Sequence, residues 1–538
     1  MVCMARNSYH TRDSKELITI WEQGKDIWNA WRRPLGEFNC DFSSFDFNKY
    51  LPNGVNIDFA YFEFPTGEVN FNNAKFGNRK INFNNTKFGN GDFHFSGAAG
   101  KISFFNANFG SGNKVFSGKI SESKNVDFNK VIFGDGDVDF SSASFGAGIV
   151  NFSKTNFGAG TKDFSTDFGQ GSVLFSDSNF GNGDVKFKEA KFENGNVTFL
   201  NSSFGKGDVD FAAAKFGKGE INFSNIDFGH GNVIFSNVDF GHGNVIFSKT
   251  KFNGMALFTN LSSLKDIKSF SFKYATFDGP LDISCAEGEV FPCLVDLTHT
   301  KTSHHVSVSG LNCTLPRKSI CNYFAKKRRW LYRYGVKYIP CKCMRLNILR
   351  LIFIIFPNGD WASKKVAIDQ ADIDRARRLK ELAEANKDHN KAKEFHILEM
   401  QASRDFKPSC CIFSAYSFLL KSEFWYEKLS DYGRGILRPL FWLIGVAFLG
   451  AFVYLLASPF KIGFKTFLQS LGFSFSQMFA FIPSSRSARE NLGNSLFCSS
   501  GQDCPIPEWI YFFTFSQSLF TFILLFLLGL GLRHRYRI

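Results

Sequence analysis

The chain has 538 residues, 69 of them Phe and 47 Gly, and a formal net charge of +14. A nucleic-acid partner would call for that charge along a binding face. Instead, Lys and Asp alternate through a near-neutral first half, and the excess sits in residues 317 to 350, which argues against nucleic acid as a partner. Of the 12 Cys, Cys285, Cys293, Cys313, Cys321, Cys341 and Cys343 lie near His299, His304 and His305 but match no paired Cys-x2-Cys zinc knuckle, so cytosolic free thiols are the expectation for them.

In residues 1 to 40, Asp13-Ser14 can cap a helix running through Ile18, Trp21, Ile27, Trp28 and Trp31 toward Pro34. This region is read as an N-terminal cap. Residues 1 to 30 show no apolar core of a signal peptide, so a cytoplasmic location is expected for the repeats that begin near residue 41.

From residue 41 to about 310, Phe recurs at alternating spacings of five and seven, as at Phe71, Phe76, Phe83, Phe88 and Phe95. The unit is twelve residues long, as in FGNGDVKFKEAK and FGKGDVDFAAAK. A period this strict predicts a parallel β-solenoid, which usually presents a surface and not a catalytic pocket. Val-x-Phe sends Val and Phe to one face with the middle residue outward. Phe76, Phe83, Phe133, Phe140, Phe187, Phe211 and Phe235 are therefore expected in the core. Stacked coils would set Phe over Phe at roughly 4.8 Å. Gly-x-Gly supplies corners where positive φ is needed. The pattern blurs from Gly97 to Lys124, where a loop or irregular coil is expected, and fades after Phe258.

The half-units AAAKF, SSASF and FNNTKF resemble the pentapeptide-repeat family. That resemblance implies a right-handed, four-sided parallel β-helix. The seven-residue Gly-x-Gly half exceeds the family's five by two. Four sides require two units per coil; a reversing glycine corner would require one. Corners such as Asn84-Asn85 favour four sides. Trp28 to Arg32 also resembles the helix that opens many membrane proteins of this family.

Residues 311 to 358 form a basic linker. Lys326, Lys327, Arg328, Arg329 and Trp330 lie at its centre, and the apolar run Leu351 to Phe356 ends it. That run is too short to span a bilayer, so an interfacial segment on anionic lipid is expected. Residues 359 to 435 read as a helical hairpin linker. Leu379, Leu382 and Ala383 form one stripe, Ala392, Phe395, Leu398 and Ala402 a second, and Asn386 to Asn390 the turn. The pair resembles a single tetratricopeptide unit. His396 and Glu399, one turn apart, are expected on a solvated face and not around a metal.

In residues 436 to 538, Leu440 to Ala457 and Trp509 to Leu532 are long and apolar enough to be transmembrane helices. Lys421, Lys428, Arg434 and Arg438 precede the first span, and Arg533, Arg535 and Arg537 follow the second. Both termini are then expected in the cytoplasm, with the hairpin in a bacterial inner (plasma) membrane. Phe464 to Ile482 is a candidate re-entrant or interfacial segment. Span, re-entrant helix, span is also a potassium-channel layout, but no Thr-x-Gly-Tyr-Gly filter occurs; Phe481 to Ser485 stands near that position. Together with LKELAEANKDHNKAKEF, LSDYGRGILRP and the terminal Leu-Arg-His-Arg-Tyr-Arg, this resembles pentapeptide-repeat proteins with a channel-like C-terminal pair. Gln517, with Ser516 and Ser518, is expected to bond between helices in preference to lining a pore. Cys498 and Cys504 are a candidate disulfide in the loop facing outside.

No phosphate loop, nucleophile elbow or kinase signature occurs, and His230 and His242 recur only because the repeat does. The expectation is a non-enzymatic, membrane-anchored scaffold, with no cofactor and no metal. Its partners are membrane lipid, an unknown protein on the solenoid and other copies through the hairpin. A channel-like transport protein is the alternative.

Overall fold

The computed structural model describes residues 10–97, 100–121, 124–319, 365–367, 369–405, 422–433, 435–461, 463–480, 482–483, 485–498 and 508–536. The chain forms two units, Met1–Phe406 and Lys407–Ile538.

The first unit is a parallel β-solenoid of about 12 turns. Val185 pairs with Val209, and Val209 with Val233, in steps of 24 residues. Two twelve-residue units therefore make one coil. Four ladders run along it. The first passes through Val138, Lys162, Val185 and Val209, and the third through Val150, Val173, Val197 and Ile221. The second passes through Ser144, Asp167, Lys191 and Lys215, and the fourth through Ile132, Asn156, Asn179 and Ser203. The two-sided alternative, with one unit per coil, is not adopted.

Two corner types explain the five–seven rhythm. After each Val-x-Phe strand, a tight turn closes, as where Ser202 N donates to Phe199 O at 3.0 Å with Asn201 at φ +61°. Positive φ at the third turn position is a type II signature, and Asn tolerates it. The longer corner is Gly-x-Gly. In Gly181-Asn182-Gly183, Gly181 has φ +64°, and a Cβ on either glycine would collide with a carbonyl oxygen one coil below, that of Gly158 for Gly181 and that of Gly160 for Gly183. Gly181 thus answers to both conformational freedom and close approach, and Gly183 to close approach alone.

Phe76, Phe83, Phe133, Phe140, Phe187, Phe211 and Phe235 are all buried in one continuous core. No loop displaces the described residues of the blurred stretch. Phe93 pairs with Lys114 in a coil shortened to 21 residues, and Lys114–Ser121 runs on as a longer strand. Beyond Phe258 the ladders continue through Leu281–Cys285 to Val306–Ser307.

Two helices lie against the first coils: α1 (Ser14–Trp21) and α2 (Lys25–Arg32). Asp13 accepts from Glu16 N at the start of α1. The single expected helix is thus divided at Gly24, whose φ of +90° no helix accommodates. Ile27 consequently turns outward, 48% exposed, while Trp21 and Trp28 are buried. Trp21 Nε1 donates to Asp58 O at 2.8 Å, and Trp28 Nε1 to Glu63 O at 3.0 Å. These carbonyls belong to the first coil's ladder positions, so indole donors take the place of a preceding strand. A single turn, α3 (Phe47–Tyr50), follows.

At the other end lie α4 (Ala371–Ala385) and α5 (His389–Asp405). Leu379, Leu382, Ala383, Ala392, Phe395 and Ala402 are buried in the same core as the solenoid, with Leu398 partly buried against it. The turn between them is shorter than expected, since Asn390 is already helical. Arg317–Ser319 pairs antiparallel with Lys365–Ala367, so the chain flanking residues 320 to 364 leaves and returns side by side.

The second unit contains α6 (Ser422–Ser430), α7 (Leu437–Ala457), α8 (Phe464–Met478), α9 (Ser485–Phe497) and α10 (Glu508–Tyr536). Helices α7 and α10 are long and apolar enough to cross a membrane. Pro439 falls in the first turn of α7, where its missing N–H costs nothing.

Candidate functional site

The solenoid wall is not uniformly free to bind. Just before the core Phe, outward Asp and Asn side chains build the turn at the end of the strand. Asp127 Oδ1 accepts from Asn129 N at 3.0 Å, Asp210 Oδ1 from Ala212 N at 2.7 Å, and Asn222 Oδ1 from Ser224 N at 2.9 Å. These are Asx turns, which fix the corner locally. A second set links coils: Asp184 Oδ1 accepts from Asp208 N at 3.0 Å, and Asp208 Oδ1 from Asn232 N at 2.7 Å. A third is an amide ladder, in which Asn225 Nδ2 donates to Asn201 Oδ1 at 2.9 Å. Much of the acidic and amide decoration is therefore structural. On the second ladder, Lys191 and Lys215 stand exposed side by side on neighbouring coils.

Two residues break the wall's in–out rule. Lys114 and Lys162 occupy the inward Val position on either side of Val138. They are 1% and 0% exposed. Lys162 Nζ donates to Gly158 O at 2.8 Å, whereas Lys114 Nζ has no hydrogen-bond partner among the described residues. Burial pulls both lysines down to about 8, with Asp135 and Asp137 opposing the shift. The long apolar stem fills the core while the amine carries the cost.

At the far end, Arg375 ties α4 to the solenoid. Its Nε donates to Asp296 at 3.2 Å, and its Nη1 donates to Asp369 at 2.9 Å and to Asp372 at 2.8 Å. Burial raises the Asp372 carboxyl, opposed by Arg375. Arg378 Nη2 donates to Thr300 O at 3.1 Å, and Asn386 Nδ2 bonds to Val306 O. The helices thereby occupy carbonyls of the last coil. Glu399 is the hub of the hairpin itself, paired with Arg377, Lys380 and His396. His396 and Glu399 thus belong to an ion-pair network between α4 and α5.

Cys285, Cys293 and Cys313 gather in the same region, and burial pushes all three thiols up, Cys293 to about 11. Such thiols are poor nucleophiles and poor ligands. Among the described residues, no three His, Cys, Asp or Glu side chains converge as metal ligands would. His230 and His242 sit exposed at different corners, bonded through their backbones to Gly205 and Gly217 respectively.

In the second unit, one polar network joins three helices. Gln517 Oε1 on α10 accepts from Tyr454 Oη on α7 at 2.7 Å. Its Nε2 donates to Ser474 Oγ on α8 at 2.8 Å, and Ser474 Oγ donates to Ala447 O on α7 at 2.8 Å. Gly450 leaves room for this, since a Cβ there would meet Ser474 and Gln517. Ser518 Oγ donates to Gln477 O at 2.8 Å, and Ser516 to Phe512 O within its own helix. Gln517 thus bonds between helices. Ser485, where an extended filter would run, begins a helix instead.

Lys326, Lys327, Arg328, Arg329 and Trp330 lie outside the described residues, as does Cys504. Cys498 lies just after α9, partly buried. The roles of the Asp and Asn turn builders and of the inward lysines escaped the sequence reading. The only signal for the lysines was a Lys-x-Phe where the repeat calls for Val-x-Phe. No protein-family model matches this chain, and neither does any curated protein or solved structure.

Proposed function

We propose that the chain is a non-enzymatic, membrane-anchored scaffold of the pentapeptide-repeat type, whose right-handed β-solenoid displays a cytoplasmic surface for a protein partner. The observation that carries this reading is the coupling of a continuous ladder of coils to two helices of membrane-spanning length. Each coil satisfies the next, so the wall is a rigid display surface. Helices α1–α2 and α4–α5 act as caps that protect the exposed ladder ends from edge pairing with other chains. Helices α7 and α10 form the membrane hairpin. The basic segment around Lys326 to Trp330 adds an attachment to anionic lipid.

Photo-crosslinking in the native membrane tests the display role, with the crosslinking residue at position 191 or 215. Discrete protein adducts are expected at both positions. Adducts confined to lipid, or none, count against a protein-binding wall. Flotation with anionic vesicles tests the lipid attachment, which should weaken as salt rises.

A further inference from the structure

Helix α8 runs back along α7. Ser474 bonds to Ala447, Met478 shares a buried cluster with Leu443 and Ala447, and Phe473 lies edge-on to Tyr454 at 4.9 Å. Helix α9 then returns along α8. Ser485 Oγ donates to Phe479 O, a Cβ on Gly493 would touch the Phe473 ring at 3.2 Å, and Ser458 Oγ at the end of α7 donates to Leu496 O. The pair therefore enters from the level where α7 ends, reaches the middle of α7, and climbs back. At 1.5 Å per residue, Ser485 lies roughly 16 Å deeper than Leu496. The first turns of α9 stand level with Leu443 to Ala447, midway along the 21-residue α7.

The face that α9 turns away from its neighbours is polar. Leu492, Gly493, Leu496 and Phe497 face the bundle, whereas Arg486, Ser487, Glu490, Asn491 and Asn494 are exposed. Steps of three and four place these on one stripe. Arg486 pairs with Glu490 at 3.3 Å, their side chains 79% and 65% exposed. By contrast, α7 exposes Phe441, Ile444, Phe448 and Phe452, which suit lipid. A charged pair facing hydrocarbon at mid-depth is costly, and such residues normally face protein or a water-filled cavity.

We infer that the polar stripe of α9 lines a water-filled vestibule, closed by the same stripe of a second copy of this chain. The stripe carries both signs, so Arg486 of one copy can face Glu490 of the other across a twofold axis. Water between them hydrates Asn491 and Asn494. The inference rests on reading α7 and α10 as membrane spans.

The test uses the full chain in its native membrane, with Ser487→Cys, Asn491→Cys or Phe448→Cys introduced singly; Ser487 and Phe448 lie at about the same depth. A membrane-impermeant thiol reagent is added, and modification of the introduced cysteine is followed by peptide mass mapping. Positions 487 and 491 should react about tenfold or more faster than position 448. Slow reaction at all three overturns the vestibule while leaving the spans intact. Fast reaction at all three removes the span reading and the vestibule with it. A short bifunctional thiol reagent should then link two Asn491→Cys chains; only monomers would overturn closure by a second copy.

Discussion

The rings of Phe187 and Phe211 lie one above the other, with centroids 4.6 Å apart and planes 4° from parallel. Strand spacing in a parallel ladder is about 4.8 Å, so the backbone dictates the ring spacing and the rings offset to make contact. Phe211→Ala should cost about 3–5 kcal/mol, and Phe211→Leu about 1 kcal/mol. Hydrogen exchange on the intact chain checks this. Protection should fall first in the coils carrying Phe187 and Phe235, because each coil leans only on its neighbours.

Gly183→Ala should destabilise the solenoid by about 2–4 kcal/mol, because the new Cβ meets the Gly160 carbonyl. Asn182→Ala, between the two glycines, should change stability by less than about 0.5 kcal/mol. Paired thermal melts of the two variants separate a packing requirement from a general preference for polar corners.

Lys114 and Lys162 give the solenoid an unusual alkaline response. Their folded values near 8 lie below the ordinary 10.5, so the unfolded chain holds more protons between those limits. Stability should therefore rise from about pH 8 to 10.5. Lys114→Met should roughly halve that rise, Lys162 keeping the rest, and add about 1–3 kcal/mol at pH 7. Melting across pH 6 to 11, with and without the substitution, measures both effects.

Arg375→Met should loosen α4 from the solenoid by about 3–5 kcal/mol, since it strands Asp296 and the buried Asp372 together. Asp372→Asn should cost less. Burial already raises that carboxyl, and its Oδ2 has no hydrogen-bond partner among the described residues. Limited proteolysis between the last coil and α4 reports the difference.

The core was legible in the sequence because Phe, Val and Gly each recur for a single physical reason. Asp127 and Asp210 were not, because an Asx turn builder and a solvated carboxylate look alike in a Lys–Asp alternation. Lys114 and Lys162 were concealed by their stems, which fill a Val site while their charge argues for the surface. The seating of α4 depends on Arg375 reaching Asp296 across 79 residues, a distance no local pattern reports. The helical stripes themselves were plain. In the second unit, Gln517 could be read as an interhelical donor. The return of α9 could not, since its polar stripe resembles an ordinary loop.

The display role depends on outward side chains that the fold does not need. Lys186 and Lys191 are exposed on adjacent sides of one coil, and Lys215 on the next coil. The decisive measurement is proximity labelling from the solenoid in the native membrane, comparing the parent chain with one carrying Lys186→Glu, Lys191→Glu and Lys215→Glu. Both chains should remain in the membrane and melt alike, while the variant loses a defined subset of labelled protein neighbours. An unchanged set of neighbours would contradict the wall as the working surface.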